Sequence, residues 1–558
     1  MQEYLKFKKS NCKNCYKCIR HCPVKSIRFS AGQAYIISDE CILCGHCVVV
    51  CPQNAKQIAD ETELVQVMLH DTAPVIASVA PSFAAYFEGV GFGALTEALK
   101  KLGFRDAEET AIGATLVKRE YEKQLKSGAY DVLITSCCPS VNLLIRKYYP
   151  DLLPCLSPVM TPMAAHSQDI KHRFPDAKTV FIGPCLSKKA EAEECSIDAV
   201  LTFEEISSMF SRAGIVPDKT MDSRDDSRAR LFPTDGGILK TMNLTEQAYT
   251  YLPISGTDNC ISALQDIQAG NVHKCFIEMS SCAGSCIGGP IMEKYKNTPV
   301  RHYQSVIKYA GKEDFDISQV KEDEIKHTHT FIELNPYQPS EEEITATLQK
   351  MGKTKPEDEL NCGTCGYNSC REKAAAVLRG KADISMCLPF LMDQTERFSN
   401  NILNNTPNGI LVINEDFEIQ QINQSAMEML NIRQESDIQG EQLVRIFDPT
   451  PFVDVLYNGK TVKDKLDFYP EYKKYLELTI VSDKKSRIMI ALLRDVTESE
   501  KTRLKKEEVG KKTVEVADQV VDKQMRIVQE IASLLGETAA ETKIALTKLK
   551  ETISDEDK

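Results

Sequence analysis

Short apolar runs that end in cysteine loops set the pattern of the middle of the chain. Val132–Ile134 leads into TSCCPS (Thr135 to Ser140), Val180–Ile182 into GPCLSKK (Gly183 to Lys189), and Cys275–Ile277 into EMSSCAGSCIGGP (Glu278 to Pro290). Each run has the length of a buried strand. Ala73–Ala80 (APVIASVA) reads the same way, and Gly91–Lys101 follows it with helical periodicity, Leu95, Leu99 and Leu102 on one side. Strand–helix alternation of this kind predicts an α/β domain with a largely parallel sheet over residues 59–335. In such sheets ligands sit beyond the carboxyl ends of the strands. The three loops are therefore expected to converge and to present Cys138, Cys185, Cys282 and Cys286 to one site.

Beyond Gly311 the pattern turns polar and acidic until about Asn361, with one predicted helix over Glu341–Met351. Residues 392–500 hold no Cys, His or Trp. Gly409–Asn414, Ile419–Ile422, Tyr475–Val481 and Ile488–Leu493 read as strands there, in the order helix, hairpin, small helices, further strands: an α+β module. In the last segment Val514, Ala517, Val521, Val528, Ile531 and Leu535 follow a 3.5-residue repeat interrupted by Gln524. Gly536 reads as a helix stop, and Thr538 with Glu541 as a capping box that starts a second helix. A helical hairpin or short coiled coil is expected. The multidomain α/β reading is thus 1–58, 59–335, 336–391, 392–500 and 501–558.

A chain of 558 residues has room for roughly three to five domains. A net charge of −12 excludes a nucleic-acid partner, because phosphate binding needs a basic surface. The first residues, MQEYLKFKKSNCK, lack the apolar core of a signal peptide, and no apolar run approaches the ~20 residues that span a bilayer. A cytoplasmic protein with no membrane contact is expected. In a reducing compartment, 21 cysteines point to metal binding rather than to disulfides.

Their spacing sharpens this. Cys12, Cys15, Cys18 and Cys22 form C-x2-C-x2-C-x3-CP, and Cys41, Cys44, Cys47 and Cys51 repeat it. This is the two-cluster bacterial ferredoxin pattern, in which the fourth cysteine of each run serves the other cluster. One [4Fe–4S] would take Cys12, Cys15, Cys18 and Cys51, the other Cys41, Cys44, Cys47 and Cys22. Zinc is the alternative, and it rarely uses eight cysteines in doubled spacing. A third set, Cys362, Cys365, Cys370 and Cys387, is spaced C-x2-C-x4-C-x16-C, with helix-forming residues Glu372–Arg379 to return the last thiolate. Zinc stays open here, and the neighbouring cluster motifs favour iron. Cys155, Cys195, Cys260 and Cys275 are left as buried small hydrophobes. His21, His46, His327 and His329 are read as solvated loop positions.

The three central loops resemble the active-site motifs of [FeFe]-hydrogenases: TSCCP, PCxxKK and CxxxC followed by Gly-Gly, in that order. NCGTCGYNSC resembles the small iron–sulfur domain also found in corrinoid/iron–sulfur proteins. The strand pattern ending in RDVTESEK resembles a PAS domain. Together the order resembles the PAS-containing, sensory group of [FeFe]-hydrogenases. The resemblance implies that Cys138, Cys185, Cys282 and Cys286 hold a [4Fe–4S] cluster. Cys286 would bridge it to a diiron subcluster carrying CO, cyanide and an azadithiolate amine. Cys137 would be a free thiol passing protons to that amine, and Lys188 would donate to a cyanide. The cofactors would be four [4Fe–4S] clusters and the diiron unit.

The departures from the family pattern are Gly183 and Ser280 at methionine places, Pro290 after Gly289, and Tyr121 and Gln124 where paired glutamates carry protons. Glu120 and Glu122 are the nearby substitutes. A slow enzyme interconverting H2 with protons and electrons is expected. Its partners would be H2 and protons, a redox partner such as ferredoxin, maturation factors, and a kinase or phosphatase reached through the PAS domain and tail, with the chain a homodimer. No histidine follows His329, which argues against a phospho-accepting role. The alternatives are a metabolic ferredoxin-dependent hydrogenase and a non-catalytic iron–sulfur scaffold.

Overall fold

A computed structural model describes residues 4–8, 11–195, 197–220, 227–293, 299–317, 325–334, 337–459, 461–483 and 486–555. Part of the acidic stretch after Gly311 lies outside these residues. The chain divides into two compact units, Met1–Leu391 and Met392–Lys558.

The first unit opens with two single-turn helices, Lys17–Arg20 and His46–Val49, each lying within a cysteine run and carrying its third cysteine, Cys18 or Cys47. A hairpin, Ile27–Ser30 with Gln33–Ile36, separates them, and Leu5–Phe7 pairs antiparallel with Lys56–Ile58. So small a module has little apolar core, and the four-residue strands read as barely more than loops wrapped around the cysteines.

The central domain holds two parallel sheets rather than the one expected. Four strands run in the order Asp106–Glu109, Val75–Val79, Lys178–Gly183, Ala199–Thr202. Three more run Thr250–Ser255, Cys275–Ser280, Val132–Ile134. The strands carrying the cysteine loops are therefore split between the sheets. Helices cover the faces, so the strands are deeply buried: every residue of the inner strand Val75–Val79 and of the edge strand Val132–Ile134 is buried. Helix Phe92–Leu102 buries Leu95 and Leu99 as its periodicity predicts. Helix Ala111–Ser127 is stopped by Gly128 in the left-handed region, and helix Pro162–Arg173 starts on Thr161, whose side chain accepts from Ala164 N.

Helices Glu341–Lys350 and Cys370–Leu378 build the small cysteine module. It packs on the N-terminal module through Ile19, Ile27, Phe29, Tyr367, Ala376 and Met386. Gly366, at φ +94°, would place a Cβ 3.0 Å from Ile19 Cγ2, so only glycine permits this approach. Phe29 N donates to Lys381 O at 2.7 Å and Lys25 Nζ to Gly366 O at 2.9 Å.

The second unit holds a five-stranded antiparallel sheet in the order Ile419–Ile422, Gly409–Asn414, Ile488–Asp495, Lys474–Asp483, Val462–Tyr469. Leu411, Ile413, Phe452, Leu478, Ala491 and Leu493 fill its core. Strand Val462–Tyr469 escaped the sequence reading because its residues are mostly charged and exposed, as suits an edge. The tail corrects another expectation. Thr497–Asp555 is one helix of 59 residues with no break at Gly536. Thr538 Oγ1 donates back to Leu534 O in the helix interior instead of capping a new start. A glycine in a helix costs about 1 kcal/mol relative to alanine, too little to stop one flanked by good helix formers.

Candidate active site

Two sheets bring three loops to one cavity. Thr135 N donates to Ile277 O at 3.0 Å, and Met279 N donates to Thr135 Oγ1 at 3.2 Å, which ties the first loop to the third. The second loop meets the third at backbone distance. A Cβ on Gly289 would lie 3.1 Å from Cys286 O, 3.6 Å from Cys282 Sγ and 3.8 Å from Pro184 O. One on Gly288 would lie 1.8 Å from Ala283 O, so no side chain fits there. Cys137, Cys138, Cys185, Lys188, Glu278 and Cys286 line the resulting cavity.

Cys282 lies just behind it. Burial raises its pKa far above the thiol range, and the negative charge of Cys185, Cys138, Cys286 and Cys44 adds to this. Burial likewise pushes Cys286 up to about 12, with Cys185 and Cys138 contributing. These four thiols thus act on one another at short range. Four soft donors crowded together, three of them half-buried and Cys286 open to the cavity, are stable as thiolates only beside a cation, and a coordinating metal supplies it. The donor set therefore fits an iron–sulfur cluster.

The family profile for the iron-only hydrogenase large subunit, C-terminal domain, matches residues 73–290. The central domain is an iron-only hydrogenase domain. Profiles for a 4Fe-4S dicluster domain, an Fe–S cluster domain and a PAS domain match residues 4–60, 358–389 and 396–463. The periplasmic [Fe] hydrogenase large subunit of Nitratidesulfovibrio vulgaris is 26% identical over 305 residues, covering 42% of this chain and 72% of that one. Iron hydrogenase 1 of Clostridium pasteurianum is 25% identical over 283 residues, 38% of this chain and 49% of its own. The solved [FeFe]-hydrogenase HydA1 from Chlamydomonas reinhardtii aligns at 17% identity and a TM-score of 0.39, covering 49% of this chain and 99% of that chain. No helix among the described residues is long and apolar enough to cross a membrane.

Within the hydrogenase domain, Lys188 is buried and its Nζ lies 2.7 Å from Glu191. Burial alone would lower its pKa, but Glu191 and the thiols of Cys185 and Cys137 more than offset that, and the lysine stays charged. Glu191 also accepts from Thr161 Oγ1 at 2.5 Å, which fixes the pair.

Cys137 Sγ lies 3.2 Å from Tyr121 Oη, and Tyr121 Oη 3.0 Å from Ser136 Oγ. Ser136 Oγ donates to Val159 O at 2.6 Å. This bond fixes the direction of the rest: the tyrosine donates to the serine and the thiol donates to the tyrosine. Burial pushes Cys137 up to about 12, so it is a thiol. The series ends on a backbone carbonyl, where a proton can go no further. Gln124 accepts from Ser157 Oγ at 2.8 Å. Glu120 and Glu122 lie away from the cavity. Glu120 pairs with Lys123 at 2.8 Å and Glu122 accepts from Asn243 N at 2.7 Å.

Sequence reasoning missed Glu278. It is the one carboxylate among the described residues lining the cavity. Burial, with the charge of Asp235 adding, raises it to about 7 against the N–H of Leu239, which it accepts at 3.0 Å. The available signal was a charged residue inside an apolar strand run, CFIEMS, a place where Glu is rarely buried without purpose. At Gly183, a Cβ would come within 2.6 Å of the Phe181 ring, so Phe181 fills the room a longer side chain would take.

The N-terminal cysteines lie in two neighbourhoods. The charges of Cys51, Cys12 and Cys15 act on Cys18. Those of Cys44, Cys41 and Cys22 act on Cys47. The second group abuts the hydrogenase site: Gly45, at φ +79°, would put a Cβ 2.4 Å from Pro290 Cγ and 2.8 Å from Leu186 Cδ2. Cys362, Cys365, Cys370 and Cys387 line one small cavity with Lys373, which burial lowers to about 8. His329 is not the solvated residue expected. Burial lowers it to about 4, and its ring meets His327 edge-on at 4.8 Å. Cys260 and Cys275 are buried as anticipated, whereas Cys155 and Cys195 are only partly so.

Proposed function

We propose that this chain is an [FeFe]-hydrogenase that interconverts H2 with protons and electrons slowly, and that reports H2 or redox state through its PAS domain and helical tail. The observation that carries the reading is the meeting of Cys138, Cys185, Cys282 and Cys286 from three loops beside a buried, charged Lys188. The curated relatives align over 72%, 49% and 55% of their own lengths, so their activities enter here as a reading of this chain.

The four thiolates would hold a [4Fe–4S] cluster, with Cys286 shared with a diiron unit carrying CO, cyanide and an azadithiolate. That centre, when bound, supplies the redox chemistry of H2. Lys188 would hold a cyanide nitrogen by a charge-assisted hydrogen bond. Cys137 would carry a proton at its Sγ beside the cavity. Glu278, poised near neutrality, would accept or release one at its carboxylate, which is the range a general acid–base group needs. The apolar wall of Ala80, Ala111, Ala114, Met163, Phe181 and Phe232 would keep bulk water out. Slow turnover follows from the closed end of the Cys137–Tyr121–Ser136 series.

Electrons would pass by Cys44, which lies within range of Cys282, into the second ferredoxin-type cluster, held by Cys41, Cys44, Cys47 and Cys22. From there they would reach the cluster of Cys12, Cys15, Cys18 and Cys51. The module of Cys362, Cys365, Cys370 and Cys387 packs on the ferredoxin module, so it would exchange electrons there. Redox and signalling partners suit this architecture, and a cytoplasmic site suits the abundance of thiols. Infrared spectroscopy of the maturated protein tests the reading. Bands of iron-bound CO and cyanide are expected in the wild type and absent in Cys286→Ser; a wild type without them ends the hydrogenase reading.

A further inference from the structure

The series beginning at Cys137 stops at a carbonyl, yet a second one leaves the same cavity. Thr110 lines the cavity. Its Oγ1 lies 2.8 Å from Ser78 Oγ, and Ser78 Oγ lies 2.8 Å from His166 Nδ1. His166 Nε2 lies 3.2 Å from Glu108 Oε2. Ser78 is on an inner strand, His166 is wholly buried, and the Glu108 side chain is 19% exposed. We propose that Thr110, Ser78, His166 and Glu108 form the proton relay between the active-site cavity and the surface.

Chemistry fixes the direction of each bond. Arg173 donates to Glu108 Oε1 at 2.9 Å, and Asp169 accepts from Arg173 Nε at 2.9 Å. Burial would raise Glu108, but the bonds from His166 and Arg173 more than offset it and hold the carboxyl at about 2. Glu108 is therefore an acceptor only, so His166 Nε2 carries a hydrogen. In the neutral ring Nδ1 must then accept, and it accepts from Ser78. Ser78, having donated, accepts from Thr110. All three donors point outward, and a lone pair of Thr110 is left to receive.

A proton arriving on Thr110 Oγ1 releases the hydroxyl's own proton to Ser78, and that of Ser78 passes to His166 Nδ1. The imidazolium so formed passes its Nε2 proton to water through the exposed edge of the Glu108 carboxylate, which is protonated only in passing because it is held at about 2. One proton enters and one leaves, and only O–H and N–H bonds change. Imidazole suits this step because it can accept on one nitrogen while donating from the other. Rotation of the two hydroxyls resets the series for uptake, as a reversible reaction requires.

Two other readings of these residues are weaker. The ligand atoms of Glu108, His166 and Asp169 lie within 4.8 Å of one another, a spacing a metal ion accepts. Arg173 bridges both carboxylates and already supplies the positive charge. A satisfied buried network is often packing alone. This one, unlike a packing network, has one end at a reactive cavity and the other at solvent.

The inference rests on the hydrogenase reading for its purpose, but its geometry is testable without the cofactor. Nitrogen NMR of the full chain labelled at histidine, with the His166 signal assigned by His166→Gln, is expected to give the Nε2–H tautomer. An Nδ1–H tautomer overturns the relay whether or not the diiron unit is ever loaded. In maturated protein, Thr110→Val and Ser78→Ala are each expected to lower H2 turnover by roughly ten-fold or more. They should raise the solvent deuterium isotope effect and leave the CO and cyanide bands unshifted, and Thr110→Ser should recover most of the loss relative to Thr110→Val. Wild-type turnover and isotope effect in both Thr110→Val and Ser78→Ala overturn it. A wild type without those bands counts against the hydrogenase reading, and the tautomer still decides the relay.

Discussion

At the scale of residues, the active-site cavity holds three proton-bearing side chains in different states. Cys137 is a thiol, Lys188 is an ammonium, and Glu278 sits near its midpoint. The last has a consequence for stability. The native carboxyl binds its proton more tightly than the unfolded one, because burial raises it from an ordinary 4.5 to about 7. Its contribution is present in full below about pH 4.5 and is lost as pH rises through 7. Glu278→Gln should therefore gain stability over the wild type between pH 5 and pH 8, by on the order of 3 kcal/mol at the upper end. Urea midpoints across that range check this; parallel curves for the two proteins refute it.

At the scale of elements, loops and helix ends depend on what surrounds them. Gly183 is at the end of a strand, and the Phe181 ring fills the space beside it. Gly183→Met, which places there the side chain that the resembled enzymes carry, should cost about 1–3 kcal/mol through overpacking. Calorimetry of the variant reads this directly. The tail makes the opposite case. Gly536 is in the interior of helix Thr497–Asp555, so Gly536→Ala should stabilise the helix by about 1 kcal/mol. A break at 536 would make the same change neutral or harmful, and thermal circular dichroism separates the two.

At the scale of the whole molecule, a relay of clusters and a long tail make different demands. The helix would extend about 90 Å at 1.5 Å per residue. Val514, Val521, Val528, Ile531 and Leu535 stand exposed along it. Apolar residues at coiled-coil spacing seek a partner helix. Val521→Glu with Val528→Glu should convert a dimer to a monomer in analytical ultracentrifugation; an unchanged mass removes the homodimer proposal. For signalling, a partner protein should bind with different affinity under H2 and under argon, since a ligand can shift an equilibrium only through differential affinity. Equal affinities would leave the PAS domain without a role in reporting H2.

What the sequence determined by itself is the set of local constraints. Cysteine spacing is a short-range property, set by how far apart adjacent ligands of one cluster can be. It announced the dicluster domain at the N-terminus and the small module around Cys370. Strand runs followed by cysteine loops announced the α/β domain. The tertiary structure decided what depends on distant pieces of chain. It split the loop-bearing strands between two sheets, and it docked the small module on the N-terminal one. It also kept the tail in one helix. It turned Glu120 and Glu122 away from the cavity, set Glu278 into the cavity wall, and lined up Thr110, Ser78, His166 and Glu108. These last four come from three separate stretches of chain, Glu108 and Thr110 from one and Ser78 and His166 from two others. Ser78 meets Thr110 because strands Val75–Val79 and Asp106–Glu109 pair, and His166 meets Ser78 and Glu108 because helix Pro162–Arg173 packs on that sheet, each link 3.2 Å or shorter; no pattern along the chain encodes those distances.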